Sequence, residues 1–281
     1  MPAETPAIIG VVESPVGFWG VVASLVLVVL AVGLSIWRGL GLSATITWAA
    51  TRAAVQLFAV GLVLAPLLAT DAPLGLSFVW IAAMVVVAAE TVRFRAPNVP
   101  GLRWVALAAI GFSSVTGLAV VFGLQILPLE PIALIPIAGI LIGNTLPSTV
   151  LGVSRTVAEL DGNRAEIEGM LALGFPSSEA KRRPIRAAAR TALIPQIERT
   201  KVVGLVALPG AMTGLLLAGV DPVDAVALQL VVMYLILGAV AVSVLIVVLV
   251  VSAGAFTSDG RYEPFAAPQS GAVSARGTTA G

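Results

Sequence analysis

The chain has 281 residues, of which 58% are hydrophobic and only 11% are charged, and its formal net charge is +1. A soluble domain carries roughly 25% charged residues, so most of this surface is expected to face lipid. The chain contains neither cysteine nor histidine, which excludes disulfides, thiolate metal sites, Ser-His and Cys-His catalysis and imidazole proton relays. The composition predicts an all-α integral membrane protein. The basic residues are grouped into loops rather than a binding stripe, so no nucleic acid partner is expected.

Seven apolar stretches approach the ~20 residues that a transmembrane helix needs. They are Val16–Trp37, Ala53–Ala69, Leu74–Ala89, Val105–Leu127, Ile132–Val150, Val202–Ala218 and Ala225–Val251. No Lys or Arg precedes Arg38, so the basic region of a cleavable signal is missing and the first stretch is predicted to be a retained span. The predicted organisation is a tail over residues 1–15, a transmembrane domain over 16–251 with an insert over 151–201, and a disordered tail over 252–281.

Orientation follows from the distribution of Lys and Arg among the loops. All 16 basic residues fall in the loops after the first, third and fifth spans or in the C-terminal tail. The N-terminal tail and the other three loops carry acids only: Glu4, Glu13, Asp71, Glu130, Asp221 and Asp224. The N-terminus is therefore predicted to be extracytoplasmic, and the insert and the C-terminus are predicted to be cytoplasmic.

The insert Leu151–Lys201 is the one long polar segment, and it holds nine of the 16 basic residues. Asn163 with Glu166 three residues later resembles a capping box, which would start a short helix. Gly174 suits the left-handed position that ends a helix, and Pro176 prevents its continuation. We interpret the insert as a cytoplasmic helical segment presented to a partner. The alternative is a basic loop that only fixes topology.

Polar side chains inside the spans are costly, and they indicate either a pathway or helix–helix packing. Asn144, near the middle of the fifth span, needs a hydrogen-bond partner, for which Gln229, Gln56 or the same residue of a second protomer is available. The predicted translocation path consists of Gln56, Asn144, Ser148, Met212, Thr213 and Gln229. Helix packing remains the alternative role for these residues.

Two further features of the spans lead to predictions. Glu90, at the cytoplasmic end of the third span, is predicted to pair with Arg93 or Arg52. Pro209 and Gly210 interrupt the sixth span and free backbone carbonyls inside the membrane, which marks a hinge, a binding site or a simple kink.

Several motifs together resemble a known family. The segment EGMLALG at 168–174 resembles the start of the EAA loop of ABC-transporter permeases. RAAVQL at 52–57, GILIGN at 139–144 and LPGAMTG at 208–214 are similar to segments of the FetB-type permease family. The resemblance runs from about Val16 to Val251. The chain departs from the family pattern at Ile140, Ala211, Pro147 and Leu216, and the loss of thioether and polar groups there weakens the transfer of iron specificity.

The resemblance implies the permease subunit of an ATP-binding cassette transporter, a homodimer that works with two copies of a separate ATPase. Bacterial members are linked to iron export, and plant relatives to aluminium tolerance and nucleotide-sugar transport. It therefore implies an exporter of iron-like metal ions in the plasma or inner membrane of a bacterium. ATPase coupling would fall on Glu168, Leu171, Gly174, Phe175 and Pro176.

The chain itself is not expected to be an enzyme. A P-loop needs Gly-Lys-Ser/Thr, whereas Lys181 and Lys201 follow Ala180 and Thr200. No cofactor is expected on this chain, ATP is expected on the partner subunit, and the sequence assigns no metal ligands. Two other classes stay open: an ion- or proton-coupled secondary transporter, which usually places acids mid-membrane, and an intramembrane lipid-modifying enzyme.

Overall fold

Residues 18–68, 73–96, 99–204, 208–257 and 259–265 are described by a computed structural model of the chain. These residues are helical or irregular, apart from isolated bridge residues at Val203, Phe256 and Tyr262. The all-α prediction is therefore confirmed. The chain divides into two units, residues 1–72 and 73–281. The predicted N-terminal tail over residues 1–15 lies outside the described residues.

The described part of the first unit is a pair of helices, α1 (Phe18–Trp37) and α2 (Ser43–Leu67). Between them Gly39 and Gly41 have φ values of 62° and 68°, a conformation that glycine adopts without a steric penalty. The Ser35 hydroxyl accepts a hydrogen bond from the Leu42 amide at 3.1 Å, which fixes the turn. Gln56 lies on α2 and its side chain is exposed within this unit.

The described residues of the second unit form eight helices. They are α3 (Leu74–Arg95), α4 (Leu102–Gly123), α5 (Pro131–Gly162), α6 (Arg164–Ala172), α7 (Ser177–Ala180), α8 (Arg182–Val202), α9 (Gly210–Leu217) and α10 (Pro222–Gly254). Pro131 and Pro222 begin the two longest helices, where the missing N–H would have had no helical partner. Asp221 caps α10, because its Oδ1 accepts a hydrogen bond from the Val223 amide at 2.8 Å.

Helices α5 and α10 form the centre of the second unit. They pack against each other, α4 and α8 pack against both, and α3 packs against α4 and α5. The hydroxyl oxygens of Thr149 and Ser243 are buried and lie 2.7 Å apart, so they join α5 to α10 by a hydrogen bond. A Cβ atom added at Gly152 would lie 3.7 Å from Val247 Cγ1. An alanine at this position would therefore fit in ordinary van der Waals contact with α10.

Five of the described helices, α2, α3, α4, α5 and α10, are long and apolar enough to cross a membrane. They correspond to the second, third, fourth, fifth and seventh predicted spans. A shorter apolar helix, Val22–Trp37, corresponds to the first predicted span. The predicted count of seven transmembrane helices is therefore not confirmed, and the predicted orientation stays a prediction.

The sixth predicted span, Val202–Ala218, is not a continuous helix in its described part. Helix α8 ends at Val202, Gly204 is left-handed with φ 89°, and Pro209 is extended. Helix α9 has eight residues and therefore rises about 12 Å, against ~30 Å for a bilayer core. Residues 205–207 lie outside the described residues.

The start of α6 also differs from the prediction. Asn163 does not cap the helix, because its Nδ2 donates to the Glu159 carbonyl at 2.7 Å and to Glu159 Oε2 at 3.4 Å. Its backbone, with φ −106° and ψ 20°, is not in the extended conformation typical of a cap. The capping-box prediction is wrong, although α6 begins at the next residue, Arg164.

The first part of the predicted disordered tail is folded. Helix α10 continues to Gly254, and the chain then turns back so that the Thr257 amide donates to the Arg261 carbonyl at 2.9 Å. Tyr262 is buried against this turn. We call residues 255–263, apart from residue 258, the C-terminal hairpin. Residues 266–281 lie outside the described residues.

Candidate functional site

The end of α6 has the geometry that the sequence predicts. Gly174 has φ 87°. Its amide donates to the Leu171 carbonyl at 3.0 Å, and the Phe175 amide donates to the Met170 carbonyl at 3.1 Å. This pair of hydrogen bonds is the Schellman motif, which satisfies the last carbonyls of a helix and reverses the chain. The left-handed assignment of Gly174 is confirmed.

The reversal at Gly174 forms one side of a cleft of about 560 Å³, which we call the insert cleft. Its first side is built from Glu168, Leu171, Gly174, Phe175, Pro176 and Ser177. Its second side is the C-terminal hairpin, with Asp259, Gly260, Arg261 and Tyr262. All five residues predicted for ATPase coupling therefore line one cleft. Their functional role stays a prediction.

A small core holds the first side of the insert cleft in place. Ile167, on α6, is fully buried with Leu160 at the end of α5 and Ala180 on α7. Arg183 and Glu166 form an ion pair at 2.7 Å that joins α8 to α6. Since both partners are exposed, this pair contributes at most ~1 kcal/mol. The apolar core therefore fixes α6 more strongly than its charges do.

Tyr262 anchors the second side of the insert cleft. Its hydroxyl donates to Asp161 Oδ1 at 2.8 Å, across 101 residues of sequence. Burial raises the pKa of Tyr262, and the hydrogen bond to Asp161 raises it further, so the phenol stays a donor throughout the neutral range. Sequence reasoning missed this side of the cleft. The signal was the aromatic residues Phe256, Tyr262 and Phe265 within an otherwise small and polar tail.

A second cavity, of about 360 Å³, lies where α5, α8, α10 and the start of α9 meet; we call it the amide cavity. Asn144 on α5 and Gln229 on α10 line it, together with Pro209, Gly210 and Ala211. Gln196 and Arg199 line it from α8. Sequence reasoning found Asn144 and Gln229 but missed Gln196 and Arg199. The signal for α8 was its buried stripe at four-residue spacing, Pro184, Ala188, Ala192 and Gln196.

The polar groups of the amide cavity are only partly satisfied. Asn144 Nδ2 donates to the Ile140 carbonyl of its own helix at 2.8 Å, so its predicted pairing with Gln229 is not what the structure shows. Gln229 is 5% exposed, and its Oε1 accepts no hydrogen bond from the described residues. A buried acceptor without a partner costs about 1–3 kcal/mol. This cavity can therefore supply an acceptor to a polar ligand.

Three predicted path residues of the second unit do not line the amide cavity. Ser148 lies on α5 one turn beyond Asn144, and Met212 and Thr213 lie on α9 just past the lining residues. The Thr213 hydroxyl donates to the Pro209 carbonyl at 3.2 Å. The structure thus brings Asn144 and Gln229 together at one cavity and leaves these three outside it. Gln56 belongs to the first unit, and its predicted role stays a prediction.

Glu90 makes ion pairs at the end of α3. Its Oε2 lies 3.3 Å from Arg93 Nη1, and its Oε1 lies 2.7 Å from Arg103 Nε. The predicted pairing with Arg93 is confirmed, and Arg103, on α4, is a second partner that sequence reasoning missed. Glu90 therefore joins the facing ends of α3 and α4.

No group of three or more Asp and Glu side chains that could hold a metal ion occurs within the described ranges. The amide cavity offers amide groups and one guanidinium, with no carboxylate among its lining residues. Hard cations prefer carboxylate and carbonyl oxygens. The lining therefore combines a free carbonyl acceptor at Gln229 with a guanidinium donor at Arg199, and it has no carboxylate to neutralise a bare cation.

Residues 18–256 match the Uncharacterised protein family (UPF0014). The chain belongs to the UPF0014 family. It is 35% identical over 231 residues to the rice UPF0014 membrane protein STAR2, and the aligned region covers 82% of this chain and 81% of the rice protein. It is 35% identical over 222 residues to the Arabidopsis thaliana Protein ALUMINUM SENSITIVE 3, covering 79% of this chain and 81% of that protein. It is also 32% identical over 223 residues to the Escherichia coli Probable iron export permease protein FetB, covering 79% of this chain and 86% of FetB. No solved structure matches.

The UPF0014 match covers the whole of the amide cavity but only part of the insert cleft. It covers every described helix and therefore the whole amide cavity and the first side of the insert cleft. It ends at residue 256, so Asp259, Arg261 and Tyr262 lie beyond it. The resemblance to FetB-type permeases is confirmed. Plant relatives also belong to the UPF0014 family, so membership does not restrict the chain to bacteria.

Proposed function

We propose that this UPF0014 protein is the membrane-spanning permease subunit of an ABC transporter. It acts as a homodimer with two copies of a separate ATPase, and it exports an iron-like metal. The observation that carries the proposal is the insert cleft, where the residues of the EAA-like segment surround the left-handed Gly174. A short helix with a fixed end, standing outside the apolar helices, is a surface on which a partner ATPase can push.

The amide cavity is the proposed cargo site. The unpartnered Gln229 Oε1 and the Asn144 side chain are available to a ligand at the junction of α5 and α10. Arg199 adds a positive charge, so a metal complexed with anionic ligands fits this lining better than a bare cation does. Export of iron comes from the printed name of the Escherichia coli relative.

The rival classes have less support. A secondary transporter usually carries inward-facing acids mid-membrane, whereas Glu90 is near the end of its helix and is ion-paired to Arg93 and Arg103. A lipid-modifying enzyme that used Arg and Glu would need a carboxylate free to react, whereas Glu90 is held in ion pairs with Arg93 and Arg103. The permease proposal uses both sites.

The experiment is a reconstitution with an ABC ATPase encoded in the same genome. The tagged chain is co-expressed with the ATPase, purified in nanodiscs and assayed for ATP hydrolysis, with a Walker-lysine variant of the ATPase as control. We expect a stable complex whose hydrolysis exceeds that of the free ATPase. Failure of every ABC ATPase of the genome to associate, together with transport driven by a proton gradient alone, would favour the secondary transporter.

A further inference from the structure

The C-terminal hairpin is a fixed structure rather than a loose tail. The Thr257 amide donates to the Arg261 carbonyl and the Glu263 amide donates to the Ala255 carbonyl, both at 2.9 Å. The Phe256 and Tyr262 rings lie 5.5 Å apart between centroids. The Lys181 ammonium lies 5.2 Å from the centroid of the Phe256 ring. The hairpin is therefore attached to the segment between α7 and α8.

The hydrogen bond from Tyr262 to Asp161 ties the hairpin to the end of α5. The hairpin follows α10 directly, so this bond joins the far ends of the two central helices. The same two helices line the amide cavity, through Asn144 on α5 and Gln229 on α10. A force applied at the insert cleft would therefore be transmitted through the Tyr262–Asp161 hydrogen bond to both α5 and α10, the helices that line the proposed cargo site.

Both sides of the insert cleft expose side chains that a partner could contact. Phe175 is 44% exposed on the first side. On the second side Asp259 and Arg261 are exposed, and neither forms an ion pair with any described residue. An apolar ring on one side of a cleft and an unpaired guanidinium on the other are typical of a protein-binding surface, where aromatic residues and Arg are enriched.

We propose that the C-terminal hairpin is the second wall of the ATPase docking site. A surface segment of the ATPase places an apolar side chain against Phe175 and a carboxylate against Arg261. The planar guanidinium of an Arg matches the geometry of a carboxylate and can bind it through two hydrogen bonds. Tyr262 is a positioning residue that holds this wall against α5. This inference rests on the proposed function, because it needs the ATPase to dock in the insert cleft. Any segment that enters the cleft from the first side meets the hairpin on the other.

The test uses the full chain with its ATPase and a photo-crosslinking amino acid at Asp259. The same amino acid is placed at Phe175 on the first wall and at Leu129, in the turn between α4 and α5 on the predicted opposite side of the membrane. We expect crosslinks to the ATPase from 259 and 175 and none from 129. A crosslink from 259 only to residues 266–281 of the same chain, or only to anionic lipid, would overturn the hairpin proposal.

Two substitutions extend the test to affinity. Arg261→Glu should weaken ATPase binding on the order of tenfold, as loss of an interface Arg typically does, while the matched charge reversal Arg190→Glu on α8 should leave it unchanged. Tyr262→Phe keeps the ring and loses only the bond to Asp161, so it should lower the hydrolysis stimulated by the chain with the fold intact. Full binding and stimulation in both variants would refute the proposal. If crosslinking from 175 persists and Gly174→Ala still weakens ATPase binding, the permease assignment stands without the hairpin proposal. If neither result is observed, the permease assignment and the hairpin proposal both fail.

Discussion

Gly174 is the position at which the chain reverses to form the first side of the insert cleft. An L-residue with a side chain in the left-handed region is strained by roughly 1–2 kcal/mol, so Gly174→Ala should loosen the reversal after α6. We expect weaker ATPase binding and a lower rate of stimulated hydrolysis, with the apolar helices still folded. Binding is measured by co-purification and folding by thermal unfolding of the purified chain.

Gly169 provides the matched control for Gly174. It lies inside α6, its φ is not positive, and a Cβ atom there would meet nothing within 4 Å. Alanine inside a helix is favoured over glycine by about 0.5–1 kcal/mol, so Gly169→Ala should preserve or raise stability and leave binding intact. Equal loss of binding in the two alanine variants would show that conformation at Gly174 is not the cause.

Asn144 tests the amide cavity. Its side chain bonds to its own helix and lines the cavity, so Asn144→Leu should abolish the cargo-stimulated part of ATP hydrolysis and leave the basal rate unchanged. If Asn144 serves only the packing of its helix, the substitution lowers the unfolding temperature and leaves cargo stimulation unchanged. Ser148→Ala, one turn away and outside the cavity, should affect neither rate. A destabilised Asn144→Leu protein with normal cargo stimulation per folded molecule would contradict the cavity assignment.

Sequence reasoning succeeded where a residue adopts an unusual backbone conformation. It failed where a side chain has several neighbours with which it could interact. Gly174 was predictable because few residues tolerate a positive φ. Asn163 was not, because its side chain can either accept from the first turn of α6 or donate back to α5, and in the structure its Nδ2 donates to the Glu159 carbonyl. Arg103 was missed because its partner Glu90 lies on another helix, and Gln196 because the cavity that it lines is formed by several helices, which a single sequence does not place.

At the scale of elements, the association of α5 with α10 has a polar component that can be measured. Thr149 and Ser243 share one buried hydrogen bond. A double-mutant cycle with Thr149→Val and Ser243→Ala should give a coupling energy of about 0.6 kcal/mol, the average for such pairs in membrane helices. Thermal or denaturant unfolding in detergent provides the four free energies. A coupling energy of zero would mean that packing alone joins the helices.

Helix identity was more predictable than helix extent. The apolar runs located α2, α3, α4, α5 and α10 because a bilayer demands such runs. Their ends were misjudged because a helix continues into polar sequence: α5 extends twelve residues past the predicted limit at Val150. The sixth predicted span is interrupted at Pro209, as the sequence predicted, and also at the left-handed Gly204, which hydropathy does not register.

At the scale of the whole molecule, the charge distribution predicts one orientation. The chain contains no cysteine, so single cysteines can be introduced and probed with an impermeant thiol reagent in intact cells. We expect Ser178→Cys, in the exposed segment after Pro176, to be protected from outside, and Leu129→Cys to be labelled. The reverse pattern would place the insert cleft outside the cell and rule out ATPase docking there.

The two sites fit one description of transport by the whole molecule. Helices α5 and α10 run from the amide cavity to the insert cleft, so a push at the cleft can change the cavity. The fold class and the insert side of the cleft could be predicted from the sequence. The hairpin side could not, because its attachment depends on a contact between Tyr262 and Asp161 that are 101 residues apart.

The most direct measurement of the central claim is cargo movement in proteoliposomes that contain the chain and its ATPase. Radioactive iron, supplied as a citrate complex, is followed after ATP is added to the side that carries the ATPase, with and without a protonophore. The account predicts iron movement away from that side that requires ATP, survives the protonophore and is lost with Gly174→Ala or a Walker-lysine variant of the ATPase. Iron movement that proceeds without ATP and stops with the protonophore would contradict it.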